Sequence, residues 1–302
     1  MASEDEFCDI GDGLRLCYRQ AGEPDAPPVV LLAGLSYDLT NWPPALIDGL
    51  VAAGLRVVTV DNRDIGRSSR MPQRPPQPWR VFAAKPRRAA YDLSDMAADT
   101  VLLLDHLGIE RAHLVGMSMG GMIAQVVAAT RPDRVATLTS IFSSTGDRKV
   151  GQPARSTMLL LGKPAARTSQ AYAEQYLTMI RHIASLSLPM DEDRERAWAL
   201  GAWERADGKI AAGIGRQISA IQKSGNRTAQ VRRISAPTLV INGDRDLMVN
   251  PTGGAATAAA IAGARHVVIP EMGHHFSPAV VEEIVELIVG HIRAHAGLET
   301  AR

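Results

Sequence analysis

Gly116-Met117-Ser118-Met119-Gly120 constrains this chain more than any other stretch, because serine with glycine two residues away on each side is the pattern of a strand-to-helix elbow. The elbow forces its serine into a strained backbone conformation, so the positions two before and two after must lack side chains that would collide with the turn. Gly116 and Gly120 meet that demand. The flanks agree. Residues 112–115 form a short apolar run that reads as a buried strand, entered from Gly108 as a helix stop. Residues 121–129 continue as an apolar helix ending near Arg131-Pro132, where proline forbids further turns. An idle serine in a glycine-rich turn would lack this strand, elbow and helix in order.

The rest of the chain supplies the framework such an elbow needs. Residues 7–10 and 14–18 read as an opening hairpin, and residues 29–32 as a continuous apolar strand bounded by Pro27-Pro28 and Gly34. A helix over about 43–53, a strand over 56–60 and an amphipathic helix over 92–107 with Asp92 as N-cap lead to the elbow strand. Alternating strands and helices with continuously apolar strands imply α/β architecture: a mostly parallel central sheet flanked by helices on both faces, with ligands at the carboxyl ends of the strands.

After a strand over 135–142 the pattern changes. About ninety residues hold helical stretches, at 169–185, 191–205 and 209–223, broken by Pro189, Gly208 and Gly225, and no convincing buried strand until 238–241. This reads as a helical cap insertion, dividing the chain into core residues 1–142, cap residues 143–233 and core residues 234–302. A helix over 252–261, a strand over 266–269 and a last helix opening at Ser277-Pro278 complete the core, with Ser277 as N-cap and Pro278 as first helical residue.

A serine hydroxyl is too weakly acidic to attack an ester unaided at neutral pH, so Ser118 needs a histidine base and an acid that orients it. Of eight histidines, His274 follows the last strand in Glu271-Met272-Gly273-His274, at the sheet edge where Ser118 lies. His275 is its direct rival, while His106, His291 and His295 fall in helices and His113 inside a strand. For the acid, Gly243-Asp244-Arg245-Asp246 follows the strand over 238–241, and Asp246 lies deeper in that loop than Asp244, which can cap the turn. Asp147 is a less favoured substitute. Attack on a carbonyl also makes an oxyanion that needs two preorganised N–H donors. The amide of Met119 supplies one by position and that of Leu35, in the turn Ala33-Gly34-Leu35-Ser36, the other; Ser36 or Tyr37 could add a hydroxyl.

These residues resemble the α/β-hydrolase superfamily across nearly the whole chain. The elbow, the loop Asp61-Asn62-Arg63-Asp64-Ile65-Gly66-Arg67-Ser68, Pro237-Thr238-Leu239-Val240, Gly243-Asp244-Arg245-Asp246 and Met272-Gly273-His274 are similar to the branch containing aclacinomycin methylesterase and related carboxylesterases. The resemblance implies Ser118 as nucleophile, Asp246 as acid, His274 as base and the Leu35 and Met119 amides as oxyanion hole. It departs at Ala33-Gly34, where many relatives carry His-Gly. The expected activity is hydrolysis of a small or medium-sized carboxylic ester through an acyl-enzyme, without cofactor. Lactone opening, carbon–carbon hydrolysis and perhydrolysis share the triad, and a binding protein with a vestigial triad is the non-catalytic alternative. The cap is expected to contribute the pocket, with Met158, Leu161, Met179 and Met190, along with Leu159 and Leu160, as apolar candidates whose other reading is cap core.

Composition bounds these readings. At 302 residues with 46% hydrophobic content the chain can bury one large core with an insertion. A formal charge of +1 gives no global attraction to nucleic acid or anionic membranes. The N-terminus is acidic and without an apolar signal core, which makes the cytoplasm the expected compartment. No metal-ligand spacing of Cys and His appears. A two-residue loop at Asp12-Gly13 would set Cys8 opposite Cys17, although two cysteines without an export signal are by default reduced thiols. From Arg63 to Ala90 the loop carries Arg63, Arg67, Arg70, Arg74, Arg80, Lys85, Arg87 and Arg88 against Asp64 alone, with five prolines. Such a run is expected to be a solvated loop, the alternatives being an anion-attracting rim or a polyproline docking site.

Overall fold

The apolar runs pair into one eight-stranded sheet in a computed structural model that describes residues 4–77, 79–80 and 83–295. The strands are β1 (Glu6–Gly11), β2 (Leu14–Ala21), β3 (Pro28–Leu32), β4 (Arg56–Val60), β5 (Ala112–Met117), β6 (Val135–Ile141), β7 (Thr238–Gly243) and β8 (Arg265–Ile269). Their spatial order is β1-β2-β4-β3-β5-β6-β7-β8, with β2 antiparallel to both its neighbours, β1 and β4, and all later neighbours parallel. The principal helices are α1 (Pro44–Ala52), α2 (Leu93–His106), α3 (Met119–Thr130), α4 (Arg155–Leu161), α5 (Ser169–Ile183), α6 (Glu192–Arg205), α7 (Ile210–Ser224), α8 (Thr228–Val231), α9 (Thr252–Ala260) and α10 (Val281–His295).

The inner strands β3 to β7 are buried almost without a break because both faces of the sheet are covered. On β3, Val30 and Leu32 pack with Leu103 and Leu104 of α2 and Ile123 and Val127 of α3. The alternate residues Val29 and Leu31 pack with Leu46 and Leu50 of α1 and Ile284 and Ile288 of α10. Period-2 alternation thus feeds two cores rather than one core and solvent. Asp92 caps α2 as its sequence predicts: its carboxylate accepts the Ser94 N–H at 2.9 Å, and Asp95 accepts the Asp92 N–H at 2.8 Å.

Some expectations shift. The last helix begins at Val281, not at Ser277-Pro278: the Ser277 hydroxyl donates to the Pro189 carbonyl at 2.6 Å and closes a turn instead of capping a helix. In the hairpin, Asp12 and Gly13 take the positive φ of a tight turn, but a bulge between Asp9 and Gly11 moves the register by one residue. Cys17 therefore faces Phe7, Cys8 faces Leu16, and both thiols are buried and unbridged. A one-residue slip reverses which side of the ribbon a side chain takes, which defeats the proposed opposition.

Between β6 and β7 lie only helices, α4 to α8. Their apolar residues form small clusters against core loops: Ala173, Trp198 and Ala199 with Tyr37, and Leu177, Ile180 and Ile183 with Met248. In the basic loop, Arg63 pairs with Asp99 at 2.6 Å and Arg67 with Asp5 at 2.7 Å, so two of its cations are used internally. Arg74, Lys85, Arg87 and Arg88 are exposed, and Pro78 lies outside the described residues. Among the described residues no helix is long and apolar enough to cross a membrane.

Candidate active site

Ser118 links β5 to α3 with φ 53° and ψ −119°, a conformation that L-residues rarely adopt. The flanking glycines are sterically required. A Cβ on Gly116 would fall 2.3 Å from the Gly120 carbonyl oxygen, and one on Gly120 would fall 1.9 Å from that of Leu32. Hydrogen bonds hold the bend from below: the Ser118 N–H donates to Ile141 at 2.8 Å, and the Ser143 hydroxyl donates to the Ser118 carbonyl at 2.8 Å.

Parallel strands bring the loops after β3, β5, β6, β7 and β8 to one edge, and there the separated residues meet. His274 Nε2 lies 3.1 Å from Ser118 Oγ, and His274 Nδ1 lies 2.7 Å from Asp246 Oδ2. The other Asp246 oxygen accepts the N–H groups of Met248 and Val249 at 2.8 and 2.7 Å. An ionised carboxylate only accepts, so Nδ1 carries the ring proton and Nε2 is left as acceptor for the Ser118 hydroxyl. Asp246 and His274 are buried, and the imidazole packs on the Phe142 ring with centroids 5.1 Å apart.

The rivals are held elsewhere. His275 Nε2 meets Glu195 Oε1 of α6 at 3.2 Å. Asp244 is exposed, and Asp147 accepts the Lys149 N–H in its own turn at 2.9 Å. His106 reaches Tyr18, His113 reaches Thr137, and His291 reaches the Pro237 carbonyl. Burial pushes His113 and His291 down to about 4, which makes them neutral core groups near neutral pH.

The turn carrying Leu35 lies directly against the serine: a Cβ on Gly34 would stand 3.2 Å from Ser118 Cβ. The turn closes through Tyr37 N–H to the Gly34 carbonyl at 3.3 Å. Met119 opens α3 with its side chain in the core, so its amide sits at a helix N-terminus beside Ser118.

A pocket of ≈ 360 Å³ including its mouth opens over Ser118. It is lined by the apolar side chains of Pro43, Met117, Phe142 and Phe276 and by the polar ones of Tyr37, Asn41, Arg194, Glu195 and His275. Met158, Leu161, Met179 and Met190 do not line it. Met158 and Leu161 lie on an exposed face of α4, whereas Met179 and Met190 pack on the Leu177–Ile180–Ile183 cluster, because a short insertion must first fill its own core. Glu195 gave no sequence signal, since an acidic residue in the first turn of a helix is ordinary. Burial pushes its carboxyl up, but the hydrogen bond and charge of His275, with Tyr176 and Arg194, outweigh this and hold it below the usual range.

The matched family model, alpha/beta hydrolase fold, spans residues 27–278, and the chain belongs to that family. Rhodomycin D methylesterase DnrP of Streptomyces peucetius is 30% identical, with 97% of this chain and 98% of that one covered. Rhodomycin D methylesterase DauP of Streptomyces sp. strain C5 is 31% identical over 94% of this chain and 96% of that one. Among solved structures, the 2-hydroxy-6-oxo-6-phenylhexa-2,4-dienoate hydrolase of Rhodococcus sp. strain RHA1 superposes with a TM-score of 0.75 at 19% identity, covering 97% of this chain and all of that one (100%). The protein is thus a carboxylesterase-type hydrolase.

Proposed function

We propose that the protein hydrolyses a small or medium-sized carboxylic ester through an acyl-enzyme, with Ser118 as nucleophile, His274 as base and Asp246 as the acid that orients it. The observation that carries this reading is the hydrogen-bonded chain from Ser118 Oγ through His274 to Asp246, at 3.1 and 2.7 Å. Ser118 Oγ adds to the ester carbonyl while its proton passes to His274 Nε2, and Asp246 stabilises the resulting imidazolium. The carbonyl oxygen, now an oxyanion, takes hydrogen bonds from the Leu35 and Met119 amides. Collapse breaks the carbon–oxygen bond, and the leaving alcohol takes the proton from His274. Water then gives a proton to His274, attacks the acyl carbon, and releases the acid and Ser118.

The pocket lining, part apolar and part polar, supports this reading. The mixed lining suits an ester with a short apolar substituent, for Met117, Phe142 and Phe276 to cover, and a hydrogen-bonding portion, for Asn41, Arg194 and His275 to meet. Residues 143–233 are the cap in this reading, between core segments 1–142 and 234–302. The methylesterase relatives favour an ester with a small alcohol.

A fluorophosphonate that labels nucleophilic serines tests the assignment. We expect one adduct per chain, on Ser118, together with turnover of short p-nitrophenyl esters. Ser118→Ala should lose adduct and turnover, kcat falling on the order of 10⁶ by analogy with serine proteases. Hydrolysis that survives this substitution refutes the nucleophile.

A further inference from the structure

We propose that Gln217, on cap helix α7, is a positioning residue for the oxyanion donor: it fixes the turn that presents the Leu35 amide to the reacting carbonyl. The inference rests on the ester-hydrolase reading above and adds a residue from outside the sheet edge to it.

Helix α7 lies on the core loops in direct contact. A Cβ on Gly213 would fall 2.0 Å from the Asp64 carbonyl oxygen, so the helix backbone touches the loop after β4. One turn on, Arg216 grips the buried Asp64 carboxylate at 2.6 and 2.8 Å. Gln217, which has no exposed surface, uses both ends of its amide: Nε2 donates to the Arg63 carbonyl at 3.0 Å, and Oε1 accepts the Ser36 N–H at 3.2 Å. Gly213, Arg216, Gln217 and Ala220 are all buried, as expected for one face of a helix.

Ser36 is the residue after Leu35 and holds a positive φ of 68°, which a serine does not adopt without support. The supports are few. Gly34 accepts from Tyr37, Asn62 Nδ2 donates to the Ala33 carbonyl at 3.0 Å, and Gln217 takes the Ser36 amide. The Ser36 N–H lies in the peptide that follows the Leu35 Cα and the Leu35 N–H in the one that precedes it, so anchoring Ser36 at Gln217 limits the displacement of the Cα that carries the Leu35 amide. A donor displaced by a few tenths of an ångström binds the tetrahedral oxyanion less well but leaves ground-state binding of the ester unchanged.

The test uses the full chain, a p-nitrophenyl butyrate assay, an alkyl trifluoromethyl ketone and thermal melting. The ketone adds to Ser118 Oγ to give a tetrahedral oxyanion, so its Ki reports the donors. Gln217→Met should lower kcat about tenfold and raise Ki by a similar factor, with KM within about twofold, a fraction of the 10² to 10³ that loss of a whole donor brings. Gln217→Asn, whose oxygen is retracted by about 1.5 Å, should show the same split with polarity kept. Gln217→Glu keeps an oxygen acceptor for Ser36 but loses the donor to the Arg63 carbonyl and places a carboxylate near the oxyanion, so kcat should stay below that of the parent. Unchanged kcat and Ki in both Gln217→Met and Gln217→Asn overturn the proposal, and so does an activity loss that merely follows the folded fraction. Leu35→Pro, which removes the amide, separates the two readings. Full activity there refutes the Leu35 donor itself, whereas loss there with none in the Gln217 variants removes Gln217 alone.

Discussion

The strand-edge site and the seam where helices α4 to α8 meet the loops of the sheet are built by different means. At the edge, backbone touches backbone: Gly116 and Gly120 let α3 turn back over β5, and main-chain bonds hold Ser118. At the seam, long charged side chains add to the backbone contact at Gly213 and the small apolar clusters. Arg205, the last residue of α6, reaches Asp5, Asp38 and Asp61 at 2.8, 3.0 and 2.9 Å, and all three carboxylates are nearly or wholly buried. Asp38 and Asp61 also hold the turn at Leu39–Asn41, so the same network ties α6 to the loop next to the Leu35 turn. Close packing fixes positions to a fraction of an ångström, whereas ion pairs hold two layers together while tolerating side-chain adjustment.

The sharpest way to break this comparison lies in the two neighbouring histidines. His274→Ala should abolish turnover, while His275→Ala, which removes a pocket-lining group and its link to Glu195 of α6, should lose less than about tenfold in kcat with any change falling mainly on KM. The reverse result would place the base at the seam. Asp246→Asn should lower kcat by about 10⁴, following the protease precedent, and Asp147→Asn should leave it near the parent value. Steady-state assays on one ester suffice for both pairs.

At the seam, Arg205→Met leaves Asp5, Asp38 and Asp61 without their shared cation. Breaking a buried ion cluster from one side typically destabilises by about 3–5 kcal/mol, which urea unfolding would read as a lower midpoint. A shift below about 1 kcal/mol would show that the cluster adds little to holding the cap.

The smallest expected effect is on pH dependence, where buried histidines of the core and the seam carboxylate Asp61 differ in sign. Folded His113 and His291 sit at about 4, chiefly through burial, so between pH ~6.5 and about 4 the unfolded chain takes up protons that the folded chain refuses. Their contribution makes stability fall as pH drops through that window and is flat above it. Asp61 is raised to about 6 by burial and by the charge of Asp38, so between pH ~4 and about 6 the folded chain takes the extra proton and acidification favours folding. The double variant His113→Gln, His291→Gln should therefore lose the acid-destabilising slope, as measured by urea midpoints at pH 7.5, 6 and 5. A slope retained in full would assign it to other groups.

Much of the strand-edge framework was legible in the residues. The elbow pentapeptide, the apolar strands and the Met272-Gly273-His274 and Gly243-Asp244-Arg245-Asp246 loops each carry a local signal, because glycine spacing and apolar periodicity follow from backbone sterics and burial. The pocket walls were less legible. Tyr37 and Asn41 could have been inferred from their loop after β3, but Glu195 and Arg194 are ordinary polar residues of a helix until α6 packs over the site. The apolar candidates Met158, Leu161, Met179 and Met190 satisfied the composition of a pocket and were taken by solvent or by the cap's own cluster.

By itself the sequence determined the order of strands and helices, the strained serine bend and the small set of histidines and aspartates able to reach one sheet edge. Only the tertiary structure decided that His274 turns to Ser118 while His275 turns to Glu195, that Cys8 and Cys17 fall on different sides of a bulged ribbon, and that Gln217 meets Ser36 across 181 positions of chain. The reason is physical: local sterics act over a few residues, whereas the direction of a side chain in a loop is set by what packs against it.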